Sequence, residues 1–204
     1  MGIEPGERDA GLSDGALPNG GAPGSSQAAG SCGATSDPTP SSWLANPRST
    51  REVLDAFGLF AKHRLGQNFL VSDGVITKIL RLAELGPDDV VFEVGPGIGT
   101  LTVALLRQAG AVVSVEADRA LEPVLAQTCE RDSERFSLVM GDALRVDAEG
   151  LSSAVAALGL AGIDPEPRLL VSNLPYQVAA TVILRTLEHM PRVRREVVMV
   201  QAEV

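Results

Sequence analysis

The sequence predicts an α/β fold: a doubly wound, mostly parallel sheet with helices on both faces. Three observations carry that reading. Short apolar runs recur between residues 89 and 201, continuous rather than alternating, as strands buried on both faces require. Stretches of helical periodicity separate them, the order that gives parallel strands with crossover helices. Glycine or polar residues stand just past the ends of the runs, on the rim where such sheets bind ligands.

Taken in order, "STREVLDAFGLFAKH" spaces Val53, Leu54, Phe57 and Leu59 for a short amphipathic helix. Ser72 is placed to cap a second helix whose apolar face is Val75, Ile76, Ile79, Leu80 and Ala83, closed by Gly86 and Pro87. "DVVFEV" (89–94) is the first strand, and a helix over Thr100–Ala109 follows. "AVVSVE" (111–116) is the second, leading to a helix from Asp118 to about Glu130. "FSLVMGD" (136–142), "RLLVSN" (168–173) and "EVVMVQ" (196–201) are the remaining strands, with a helix over Val178–Met190 between the last two.

Composition divides the chain. Gly, Ser, Ala and Pro fill 30 of the first 50 positions, with no apolar period. Such a segment cannot bury enough surface to offset its ordering entropy, so residues 1–47 are expected to be a disordered tail and 48–204 the folded domain. The tail lacks the basic start and apolar run of a secretory signal and the acid-poor composition of a transit peptide. There is no run of 18 apolar residues, so no membrane partner and a cytoplasmic location are expected. Cys32 and Cys129 form no CxxC pair, which speaks against a zinc site or disulfide framework; no metal is expected. The formal net charge is −9, and five acids against two arginines in the first fifty residues leave −6 on the rest. That acidity disfavours non-specific nucleic-acid binding, though Lys62, His63 and Arg64 cluster, as do Arg192, Arg194 and Arg195. Each cluster is either a local RNA contact or solvated surface.

Four rim positions carry the candidate chemistry. "EVGPGIGT" (93–100) is a glycine-rich turn between strand and helix, where Gly95 and Gly97 let the backbone approach a ligand closely; the plain alternative is a tight turn. Glu116 ends the second strand, where a carboxylate can accept two ribose hydroxyls. Both NAD and S-adenosylmethionine fit that pair. Asp142 in "MGDAL" can accept an adenine amine while Ala143 offers a backbone N–H; a helix cap is the alternative. "NLPY" (173–176) is the most telling. An exocyclic adenine amine is a poor nucleophile because its lone pair is delocalised into the ring. The Asn173 side-chain carbonyl and the Leu174 carbonyl, fixed by Pro175, can accept its two hydrogens, and Tyr176 can stack on the base.

"KHRLGQNFLVSD" (62–73), "VFEVGPGIGTLT" (91–102), "VEAD" (115–118), "GDAL" (141–144) and "VSNLPYQVAATVIL" (171–184) together resemble the ribosomal RNA adenine dimethyltransferases, most closely the small-subunit branch. The resemblance covers about residues 51–204. It implies a class I, Rossmann-like methyltransferase fold that uses S-adenosyl-L-methionine to convert two adjacent adenosines of 16S rRNA to N6,N6-dimethyladenosine. On the family's pattern, Gln67, Asn68 and Leu70 close over the cofactor and Gly95 and Gly97 line it. Glu116 holds the ribose, Asp142 and Ala143 the adenine, and Asn173 the reacting centre, beside cofactor and base alike. Lys62, His63 and Arg64 become RNA contacts, and the protein is expected to act as a monomer on the small ribosomal subunit.

The chain departs from the family at Gln177-Val178-Ala179, where Asn-Ile-Ser is common, and at Ala202, where Lys is frequent. Ending after the fifth strand, it is expected to be an N-terminal fragment without the last strands and the small helical domain, and to bind cofactor weakly alone. Leu174 and Pro96 separate it from the large-subunit resistance methyltransferases; a non-catalytic assembly relative and an NAD oxidoreductase are the other readings.

Overall fold

The computed structural model describes residues 40–59 and 70–200. The predicted tail up to residue 39 lies outside the described residues, as do Lys62, His63, Arg64, Gln67 and Asn68. Five strands, β1 (Val90–Val94), β2 (Ala111–Glu116), β3 (Phe136–Met140), β4 (Leu169–Leu174) and β5 (Arg195–Val200), form one sheet in the order β3-β2-β1-β4-β5. All four pairings are parallel, so all five carboxyl ends lie along one edge. The expected parallel, doubly wound sheet is what forms.

Among the described residues six α-helices cover it: α1 (Pro47–Ala56), α2 (Asp73–Ala83), α3 (Thr100–Leu106), α4 (Glu122–Thr128), α5 (Ala148–Ala156) and α6 (Tyr176–His189). Alternation along each strand separates two cores. Val91, Val112, Leu169 and Val171 pack with α1 to α4, whereas Val90, Phe92, Val113, Val115 and Leu170 pack with α5 and α6. The central strands β1 and β2 are buried along their whole length, which is why they read as mostly apolar runs without alternation, interrupted only by Glu93, Ser114 and the terminal Glu116.

Several boundaries differ from expectation, each for a local reason. The expected tail boundary at residue 47 cuts into described, folded chain, because residues 40–46 form a strap on the domain and Leu44 is 0% exposed. The Ser41 N–H donates to Asp73 Oδ1 at 2.7 Å, and Thr50 Oγ1 donates to the Leu44 carbonyl at 3.0 Å. Asn46 caps α1 by accepting the Ser49 N–H at 2.9 Å, with Pro47 in the first turn. A boundary drawn by composition misses the strap because its Ser and Asn residues count as disorder-formers, yet here they make specific bonds. Helix α2 ends on Glu84, in the left-handed region at φ 46°, rather than at Gly86. The predicted helix from Asp118 splits into a 3-10 turn (Arg119–Leu121) and α4, because Pro123 lacks the N–H that would continue the first turn. Helix α5 lacks a clear sequence signal: only Leu151 and Val155 are buried, four residues apart.

Leu44→Ala tests the strap. Truncating a fully buried leucine costs about 2–5 kcal/mol, measured by urea denaturation; a loss within about 0.5 kcal/mol would mean the strap is peripheral.

Candidate active site

The site begins where two strands part. β1 pairs with β2 along its full length, Val90 to Val94, but with β4 only at Val91–Leu169 and Phe92–Leu170. Beyond that, the Val94 N–H donates to the Ser172 hydroxyl at 2.8 Å, a side chain standing where a main-chain partner would be. Gly95 and Asn173, one residue further on in each strand and opposite in register, therefore flank the crevice that such a topology opens. It lies between β1 and β4, where the strand order reverses, the position at which open α/β sheets bind ligands.

Backbone hydrogen bonds lace the loops beside it. The Gly95 N–H donates to the Val115 carbonyl at 2.9 Å, and the Gly141 N–H to the Glu116 carbonyl at 2.8 Å. Gly95, Glu116, Asp142 and Ala143 are thus brought onto one stretch of rim. Gly95 sits at φ 65°, where a side chain is strained, and a Cβ there would meet nothing within 4 Å. Open space faces that backbone. Gly99, at φ 87°, is required for a different reason: a Cβ there would lie 2.9 Å from Thr128 Oγ1 and 3.4 Å from Cys129 Sγ.

Glu116 is 6% exposed. Its Oε1 accepts the Asp118 N–H at 2.9 Å and its Oε2 the Gly97 N–H at 3.4 Å, joining the glycine turn to the end of β2. Burial raises its pKa above the usual carboxylate value, against the backbone N–H groups of Asp118, Gly97 and Ala117 that lower it. Three N–H donors leave a carboxylate some acceptor capacity for hydroxyls. Asp142 caps a turn rather than the helix of the plainer reading, since the next helix, α5, is capped by Asp147: Asp142 Oδ1 accepts the Leu144 N–H at 2.9 Å, and Arg145 Nε lies 3.7 Å from Oδ2.

At the end of β4, Asn173 shares the parity of Leu169 and Val171, so its side chain lies on the α1–α4 side, as does that of Glu116. Leu174 is buried on the opposite side. The Pro175 carbonyl accepts the Val178 and Ala179 N–H groups at 3.1 and 3.2 Å, starting α6 two residues earlier than the sequence predicts. Tyr176 opens that helix at the rim, 59% exposed. Leu70, the last residue of "QNFL", is buried in the α1–α4 core.

Sequence reasoning missed Glu93, which is 1% exposed at the penultimate position of β1. Thr102 Oγ1 and Ser114 Oγ each donate to its Oε2 at 2.8 Å. Burial pushes its pKa up to about 7, against the two hydroxyls that lower it. The one signal was an acid inside an otherwise apolar strand. Ser172 gave no signal at all. The arginine cluster near β5 is bound up elsewhere: Arg192 pairs with Asp164 (2.6 Å) and Glu166 (3.3 Å), Arg194 with Asp89 (2.7 Å) and Arg195 with Glu84 (2.6 Å). These pairs lie at the amino-terminal end of β5, away from the rim. Among the described residues no group of His, Cys, Asp and Glu could hold a metal ion, and no helix is long and apolar enough to cross a membrane.

The model of the family described as "Ribosomal RNA adenine dimethylase" matches residues 59–204. The protein named ribosomal RNA small subunit methyltransferase A in Streptomyces coelicolor is 42% identical over 173 residues, 83% of this chain and 56% of the relative. Its namesake in Moorella thermoacetica is 40% identical over 166 residues, 79% of this chain and 55% of the relative. The chain therefore spans about half the length of these relatives. Among solved structures, a dimethyladenosine transferase from Plasmodium falciparum superimposes with a TM-score of 0.50 at 25% identity, covering 63% of this chain and 41% of that one.

Two outcomes are expected from this geometry. Gly95→Ala and Gly99→Ala both meet backbone strain of about 1–2 kcal/mol, but only Gly99→Ala adds crowding, about 1–3 kcal/mol more by chemical denaturation; equal losses would refute the packing difference. Glu93, with its folded-state pKa raised, adds stability that is present below its ordinary pKa of 4.5 and lost as pH rises through about 7. Between pH 4 and pH 8 the parent should therefore lose about 3 kcal/mol relative to Glu93→Gln, and identical pH profiles would contradict it.

Proposed function

The chain belongs to the ribosomal RNA adenine dimethylase family, and from that premise we propose that it carries the cofactor site and the reacting-centre residues of a small-subunit rRNA adenine N6,N6-dimethyltransferase. The observation that carries this reading is the crevice between β1 and β4, with Gly95 and Glu116 along one side and Asn173-Leu174-Pro175-Tyr176 closing the other. The substrate is a pair of adjacent adenosines in 16S rRNA, and the cofactor is S-adenosyl-L-methionine.

The residues fit that cofactor. The open space at Gly95 admits a group against the backbone, and the Glu116 carboxylate suits a ribose diol. When bound, S-adenosylmethionine supplies a methyl group on an already activated sulfonium, so no metal or covalent nucleophile is called for. Glu116 accepts the ribose hydroxyls, Asp142 and the Ala143 N–H bind the adenine, and Gln67, Asn68 and Leu70 close over it.

On the substrate side, the Asn173 side-chain oxygen and the Leu174 carbonyl accept the two hydrogens of the adenine amine. That draws the nitrogen lone pair out of conjugation and fixes its direction, and Pro175 stiffens the backbone that does so. Tyr176, exposed at the rim, stacks on the base once it has left its own stack. Lys62, His63 and Arg64 contact the RNA backbone. The same reading places the protein in the cytoplasm as a monomer.

Purified protein completed with the C-terminal part of a relative such as that of Streptomyces coelicolor, given radiolabelled S-adenosylmethionine and, separately, small and large ribosomal subunits lacking dimethyladenosine, should produce labelled dimethyladenosine in 16S rRNA. Asn173→Ala should lower that transfer by about 10²–10³, the range for removing one stabilising group at a reacting centre. Glu116→Ala should weaken cofactor binding by about 10- to 100-fold, the loss of hydrogen bonds to a charged group. Undiminished transfer by Asn173→Ala would sink the assignment, and label confined to large-subunit rRNA would move it to the resistance-type enzymes.

A further inference from the structure

Glu93 is the most deeply buried acid among the described residues, and none of the roles above uses it. Its Oε2 receives two hydroxyls at 2.8 Å, from Thr102 of α3 and Ser114 of β2, both themselves 0% exposed. One oxygen thus ties together three elements: the strand that enters the glycine turn, the helix that leaves it, and the strand that carries Glu116. Ser114 precedes Glu116 by two residues on the same face of β2. From the other side, Gly99 packs against Thr128 and Cys129, which closes the floor beneath the turn. Nothing about holding β1 in the sheet calls for a carboxylate here, since a valine would fill an apolar core at no desolvation cost.

We propose that Glu93 is a positioning residue: through Thr102 and Ser114 it fixes the separation between the turn 95–99 and Glu116, and so the shape of the cofactor site. The second half of this inference rests on the crevice being that site. The groups that face Glu93 are few. Glu116 on β2 bears a charge that acts on it, and Cys129 at the end of α4 has its thiol pushed up to about 12, mainly by burial. Below about pH 7 the floor is neutral; above it, a buried negative charge lies near Glu116. The turn should therefore loosen as Glu93 ionises, and the cofactor should bind less tightly.

The test is amide hydrogen exchange across residues 93–101 of the ligand-free chain at pH 6 and pH 8, corrected for intrinsic rates. It compares the parent with Glu93→Gln, whose amide oxygen still accepts both hydroxyls but bears no charge, and with Thr102→Val, which keeps the shape and deletes one bond. In the parent, protection should fall about tenfold between the two pH values, the change equivalent to one pKa unit of coupling. In Glu93→Gln it should stay level, and in Thr102→Val it should be low at both. A Glu93→Gln profile that tracks the parent, or an unchanged turn in Thr102→Val, overturns the proposal. S-adenosylmethionine dissociation constants from the same samples separate the two readings. A parent affinity that weakens with pH while that of Glu93→Gln does not supports the link to the cofactor. Intact exchange coupling in a parent that binds no cofactor overturns the crevice as cofactor site and leaves Glu93's hold on the turn standing.

Discussion

β1 and β4 stay hydrogen-bonded for only two residue pairs, and the Ser172 hydroxyl accepts the Val94 N–H just beyond them. That substitution lets the strands separate without leaving a buried backbone donor unpaired, a defect that would cost about 1–3 kcal/mol. The groups on its two sides take their positions from this parting. Gly95 turns away on one side, Asn173 stands on the other, and the reversal of strand order sends their following helices, α3 and α6, to opposite faces. A sheet zipped to its end at this point would have no room for a ligand.

The rim is then shaped by carboxylates that the fold accepts at a cost. Glu116 is buried but answered by backbone N–H groups from its own turn and from the glycine turn, which leaves its carboxylate spare acceptor capacity. Glu93 is buried deeper and answered only by hydroxyl groups, which is why its pKa rises to about 7. Asp142 is half-exposed, and one of its oxygens is committed to its own turn. Three acids at the ends of neighbouring strands thus differ in environment, and so in the work each can do. By contrast the arginines beside β5 are paired with acids at the opposite end of the sheet, where they neutralise the starts of strands.

Much of this was legible in the sequence because it rests on local pattern. Mostly apolar runs without alternation marked β1, β2 and β4, and the residues at and after their ends marked the rim. The strap at 40–46 was not legible, since its order comes from contacts with Asp73 and with the core beneath Leu44, far off in sequence. Neither was Ser172, which reads as an ordinary strand serine until β1 is placed beside it, 78 residues away. Glu93 was visible as an anomaly, but its partners lie 9 and 21 residues off, and only the folded sheet brings them to one oxygen. "QNFL" shows the reverse case: physics alone gives it no role, and family resemblance supplies one.

The measurement that bears most directly on the crevice is a backbone amide NMR titration of the chain with S-adenosylmethionine. Shifts confined to residues 95–99, 116–118, 141–144 and 172–176 would place the cofactor where β1 and β4 part. Shifts centred on another part of the fold, or none at millimolar cofactor, would contradict that placement.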